Sequence, residues 1–125
     1  GMKWNVETTV EFLRMAKKLY KKYRSLLDDI ENFKNGLSED PFQGVMLTPG
    51  IRKIRMAITS KGGGKSNGAR IITLTYSIDE ENGTIALLLI YDHNMADTVD
   101  SNLVKETAEK LGFDMNDLQN EGKLM

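Results

Sequence analysis

At 125 residues, with 40% hydrophobic content and a formal charge of −1, the chain is sized for one domain around one core, spanning 1–125. The absence of cysteine excludes disulfides and thiolate metal sites and suits a reducing cytoplasm, where the protein is expected. No run of about 18 apolar residues is present, so no helical membrane span is expected. No secretory leader pattern opens the chain either, and Gly1 ahead of Met2 reads as a scar of tag removal.

In chain order, Trp4 to Val6 fits a short edge strand. Thr8 with Glu11 three residues on has capping-box spacing. Phe12, Met15, Ala16, Leu19, Tyr20 and Tyr23 then recur every three to four residues, predicting a first helix. A second helix follows at once, with Ser25 as its cap and Leu26, Leu27, Ile30, Phe33 and Leu37 as its apolar face; Gly36 and Pro41 mark its stop. The short link between the two predicts a helical hairpin. "VMLTPG" reads as a turn or loose segment. "IRKIRMAIT" alternates, placing Ile54, Met56 and Ile58 on one side and Lys53, Arg55 and Ala57 on the other. A glycine loop leads to "ARIITLTYSI", rich in β-branched residues. Asn82-Gly83 signals a hairpin turn, and "TIALLLIY" is apolar enough to be covered on both faces. Ser101 to Leu111 predicts a last helix, with Gly112 as a left-handed C-cap and Phe113 folding back. The remainder of 113–125 reads as a polar tail. The expected architecture is α+β: an N-terminal helical hairpin packed on a small antiparallel sheet, with a C-terminal helix.

The near-zero net charge conceals a division. Residues 51–70 hold six bases (Arg52, Lys53, Arg55, Lys61, Lys65 and Arg70) and no acid, leaving 11 bases against 18 acids elsewhere. A second basic cluster runs from Arg14 through Lys17, Lys18, Lys21 and Lys22 to Arg24. Such asymmetry is the footprint of a polyanion partner, although basic helix faces are often only solvated. The loop "SKGGGKSNGAR" imitates the end of a nucleotide-binding P-loop. That motif needs a glycine where Thr59 stands and a helix directly after Ser66. A strand is predicted there, so a nucleoside triphosphatase is excluded, and the loop reads as a long mobile hairpin connection with basic side chains.

Lys53 and Arg55, two apart, leave the same side of their strand. Arg70 opens the next strand with an ambiguous face. Three cations on one spot, without acids between them, suit a phosphate and the added charge of a phosphoryl transition state. At the end of the last strand, "IYDHN" offers Tyr91 and His93, the single histidine, whose ordinary titration range suits proton transfer.

The combination "RKIRMAI", "KGGGKSNGAR", "IITLTY" and "LLLIYDHN", preceded by "FLRMAKKLYKKYRSLLDDIENF", resembles the RelE/HigB-like toxins of bacterial type II toxin–antitoxin systems. The resemblance runs from about Met2 to Leu111. It implies a metal-independent, cofactor-free endoribonuclease that cleaves mRNA, usually on the ribosome, and is silenced by a cognate antitoxin. Lys53 would activate the 2′-hydroxyl or stabilise charge, Arg55 and Arg70 would hold the scissile phosphate, and Tyr91 and His93 fall where the family places a tyrosine and a further basic residue. The sequence departs there, with histidine in place of Lys or Arg, and its glycine loop is longer than in compact members. Arg52, Lys61 and Lys65 are further expected RNA contacts. Two other functions fit the same elements: a non-catalytic inhibitor of a protein such as DNA gyrase, and a plain RNA-binding module. The latter calls for aromatics interleaved with the bases, and 51–70 has none.

Overall fold

The computed structural model describes residues 1–95 and 100–113. Its elements are β1 (Lys3–Thr8), α1 (Val10–Lys22), α2 (Leu26–Glu39), β2 (Val45–Thr48), β3 (Ile51–Met56), β4 (Ala69–Ser77), β5 (Asn82–Asp92) and α3 (Ser101–Glu109). The architecture is α+β, with the strands in the order β1-β5-β4-β3-β2.

β2 to β5 form an antiparallel meander. The sheet as a whole is mixed, which corrects the expectation of an antiparallel one: β1 pairs in parallel with β5, from Lys3 opposite Asn82 to Thr8 opposite Leu87. β5 is long enough, at 11 residues, to carry β4 on one edge and β1 on the other. The helices that follow β1 supply the crossover that parallel pairing requires.

Thr9, not Thr8, caps α1: its Oγ1 accepts from the Phe12 amide at 3.0 Å and donates to the Leu88 carbonyl at 3.0 Å. Ser25 precedes α2 without a side-chain cap. Gly36 does not end α2, which continues to Glu39. The segment expected to be loose is strand β2. Gly44 (φ +75°) turns the chain into it so closely that a Cβ there would stand 2.3 Å from the Lys53 carbonyl oxygen. Asn82-Gly83 is not the β4–β5 turn but the start of β5. The turn lies just before it, where the Asp79 carboxylate accepts from the Glu81 and Asn82 amides, each at 2.8 Å. Gly83 is glycine for another reason: a Cβ would lie 2.4 Å from the Trp4 ring. Gly112 takes the left-handed conformation expected of it (φ +95°), and Phe113 returns to Ala108 by its amide and to Tyr76 by its ring. The rest of the 113–125 tail lies outside the described residues.

The sheet is covered on both faces. Phe12, Ala16, Leu26, Ile30 and Leu37 of α1 and α2 pack on Ile54, Met56, Ile71, Ile85, Leu87 and Ile90. Val104 and Ala108 of α3 pack on Ile72, Leu74, Ala86, Leu88 and Leu89. Continuous apolar runs in β4 and β5 follow from this double coverage. A bulge in β5 between the partners of Ile72 and Thr73 puts Leu88 and Leu89 together in the cluster on the α3 side.

Candidate functional site

Strand pairing resolves the ambiguous face of Arg70. Arg55 stands opposite Arg70, and Arg70 opposite Tyr91. One step along, Lys53 stands opposite Ile72 and Val45. All of these side chains share the α3 face of the sheet, by the alternation that sends Ile54 and Met56 to the other. α3 covers one end of that face. The other end, where β2 meets β3, holds a cleft of about 520 Å³ lined by Gln43, Gly44, Val45, Leu47, Lys53, Ile54, Arg55, Lys65 and Arg70. Among the described residues, four bases and no acid line it.

Arg70 is held by its own loop. Its Nη2 donates to the Ser66 carbonyl at 3.0 Å, and its Nη1 to those of Lys65 and Ala69, both at 3.3 Å. Burial, and then the charge of Arg55, pull the guanidinium below its ordinary pKa, against the opposing influence of Tyr91. Three carbonyls therefore do locally what a carboxylate would otherwise do, and Arg70 keeps its place beside a like charge.

The loop is organised rather than a loose connection. Gly62, Gly63 and Gly64 all have positive φ, between 72° and 83°, a region open to glycine at little cost. A 3₁₀ turn, Lys65–Asn67, follows. Gly68 brings β4 so close to β3 that a Cβ would fall 2.0 Å from the Met56 carbonyl oxygen. On the approach to the loop, the buried Asp29 carboxylate accepts from the Thr59 amide at 2.9 Å and the Thr59 hydroxyl at 2.6 Å, and the Ser25 and Ser60 hydroxyls are 2.9 Å apart.

Two expected RNA contacts have other partners. The Lys61 ammonium donates to the Asp92 carboxylate at 2.8 Å and to the Asn67 carbonyl at 2.6 Å, and only 11% of its side chain is exposed. Asp92 also accepts from the Tyr23 hydroxyl at 2.5 Å. Burial works to raise the Asp92 pKa, but the bonds from Lys61, Tyr23 and the Asn94 amide outweigh it and hold the carboxylate at about 2. The same hydrogen bond, then burial, pushes the Tyr23 phenol up. Lys61 is thus drawn inward by an ion pair that the alternating pattern of the strands did not reveal. Arg52 reaches across β2 to the Phe42 carbonyl at 3.0 Å and lies over the Phe42 ring, on the face opposite Lys53.

Nor do Tyr91 and His93 line the cleft. The Tyr91 hydroxyl is buried without a hydrogen-bond partner among the described residues, and burial raises its pKa against the lowering pull of Arg70. Its ring walls Arg70 on the side away from Arg55. His93 follows β5; its amide donates to the Gly68 carbonyl at 3.1 Å and its Nε2 lies 3.3 Å from Asn67 Oδ1. It braces the loop from behind, away from Lys53 and Arg55. The sequence reading missed Gln43, Gly44 and Val45 as cleft walls and Asp29, Asn67 and Asp92 as organisers of the loop. Gly44 offered a signal, as a lone glycine ahead of an apolar run.

Among the described residues no group of acidic side chains or histidine is placed to hold a metal ion, and no helix is long and apolar enough to cross a membrane. No family model matches the chain, and no curated protein matches it.

Proposed function

We propose that the protein is a toxin-type endoribonuclease that cleaves mRNA without a metal ion, with a cognate antitoxin, mRNA and the ribosome as its cytoplasmic partners. One observation carries the reading: Lys53, Arg55, Lys65 and Arg70 line a single cleft that no acid neutralises among the described residues. Cations gathered without counter-ions are an unfavourable arrangement for the fold alone. They match the doubly charged, five-coordinate phosphorus formed when a ribose 2′-oxygen attacks the adjacent phosphodiester.

In this reading Arg55 and Arg70 grip the non-bridging oxygens from adjacent strands, and Lys53 approaches from the next position along β3. The 2′-oxygen forms a bond to phosphorus as its proton is released to solvent. The bond to the 5′-oxygen breaks, and that oxygen takes up a proton, leaving a 2′,3′-cyclic phosphate and a 5′-hydroxyl. Lys65, on the loop, stands at the rim of the cleft and serves the strand beyond the scissile phosphate. In this reading Tyr91 and His93, which stand outside the lining of the cleft, support Arg70 and the loop.

Induced expression tests the proposal. Growth arrest with cleaved mRNA is expected, with cleavage by the purified protein, supplied with ribosomes, persisting in a metal chelator. Arg70→Ala is expected to abolish both effects while leaving the circular dichroism spectrum unchanged. A fully active Arg70→Ala protein, or growth arrest with intact mRNA and trapped topoisomerase, overturns the proposal.

A further inference from the structure

A second hollow adjoins the cleft. Its volume is about 300 Å³, and Gln43, Arg55 and Lys65 line both spaces. Its remaining walls come from α2, through Asp29, Asn32, Phe33 and Gly36, and from the outgoing end of β3 with Thr59 beyond it; the Asp29 carboxylate is already engaged by Thr59 and Ser25. Phosphate chemistry does not explain these walls, which include an aromatic ring, two carboxamides and bare backbone.

We infer that this hollow is a nucleobase subsite, holding a base of the strand whose phosphate lies in the neighbouring cleft. The inference rests on the reading of that cleft as a phosphate site and adds where the attached base goes. Phe33, half-buried beside the core, offers a ring to stack on. Gln43 is already oriented, because its Nε2 donates to the Gly36 and Asp40 carbonyls at 3.3 and 3.0 Å. Its Oε1, without a partner among the described residues, is left to accept from an amino group. Asn32 is exposed and supplies a second amide.

The backbone of β3 adds a further pair of groups. Pairing with β2 stops at Lys53, so the outer edge of β3 is uncovered beyond it. The Lys53 carbonyl points towards β2, crowding Gly44, and the Met56 carbonyl points towards β4, crowding Gly68. Alternation then turns the Arg55 N–H and C=O outward, to the open edge. A donor and an acceptor side by side are the complement of a base's hydrogen-bonding edge, which a single-stranded nucleic acid leaves free to be read.

Gly36 is the most telling wall. Glycine is a poor choice inside a helix. Gly36 has no positive φ to justify it, and a Cβ there would meet nothing within 4 Å. Neither backbone nor packing requires glycine here, and its lack of a side chain leaves the hollow open.

The full-length protein is titrated with a labelled 2′-deoxy trinucleotide, which cannot be cleaved, and with versions made abasic at each position in turn. Loss of one particular base is expected to weaken binding about tenfold, the scale of a single stacked base. Gly36→Leu, which fills the hollow with a good helix former, and Asn32→Ala, at an exposed position, are expected to bring the intact strand towards the abasic affinity. Both are expected to leave the abasic affinity unchanged, with Tm the same for Asn32→Ala and no lower for Gly36→Leu, whose leucine favours the helix. If all strands bind equally well, or if Gly36→Leu keeps full discrimination, the subsite is refuted and the phosphate cleft stands. If no strand binds, both fall.

Discussion

Arg55 and Arg70 are direct cross-strand partners on β3 and β4, two like charges facing each other without an acid lining their cleft among the described residues. Such a pair weakens a sheet by about 0.2–1 kcal/mol. Arg55 is the exposed member and Arg70 the one tied to carbonyls. Arg55→Gln is therefore expected to raise stability to urea by about 0.5 kcal/mol while lowering RNA cleavage at least tenfold. Equal loss of stability and activity would count against the proposed role.

The four cations of the cleft set a salt dependence. Each phosphate contact to a single strand contributes about −0.7 to the slope of log K against log salt. Four contacts give a slope of about −3, and alanine at Lys53, Arg55, Lys65 or Arg70 is expected to reduce it by about one contact's share. Lys61→Ala, with its ammonium already spent on Asp92, is expected to leave the slope as it was.

Asp92 makes stability depend on pH. Its folded pKa of about 2 lies below the ordinary 3.8. The folded state therefore favours the charged form, and the contribution is complete above the unfolded value. It disappears as the pH falls from about 5 through 2 and amounts to about 2 kcal/mol at neutrality. Urea titrations across that range are expected to lose this amount in the wild type and much less in Asp92→Asn. Lys61→Met leaves a buried carboxylate without its cation, at a cost of about 3–5 kcal/mol.

Gly83→Ala pushes a methyl into the Trp4 ring. β1 is an edge strand, so the expected response is its local release rather than global unfolding. Trp4 is the single tryptophan, and its emission is expected to shift red before the far-ultraviolet dichroism changes. Gly68→Ala, which strikes main chain at 2.0 Å, is expected to cost upwards of about 2 kcal/mol and to displace Arg70.

What the sequence revealed was local. The two-residue period of "IRKIRM" placed Lys53 and Arg55 on one side, and the unbroken apolar run of β5 announced coverage on both faces. The reading failed where a residue's partner is distant in the chain. The parallel pairing of β1 depends on β5, about eighty positions away. Asn82-Gly83 carried a hairpin signal, yet Gly83 answers to Trp4. Lys61 resembled any other base in a glycine-rich loop, because nothing near it in sequence indicates that Asp92 will arrive beneath it. Arg70 had the parity of a core residue and does point to a half-buried face; what spares it is a shell of carbonyls from its own loop, which side-chain periodicity does not encode.

The mixed order of the sheet has a practical corollary. β1 lies at the edge opposite β2, and Lys3 sits level with Asn82, at the far end of β5 from Tyr91. The cleft on β3 is therefore about 14 Å away across the strands and about 30 Å along them. A fluorophore, bead or surface linker attached ahead of Lys3 would hold the molecule by the corner diagonal to its cations. Immobilised protein should then accept long RNA as readily as free protein does.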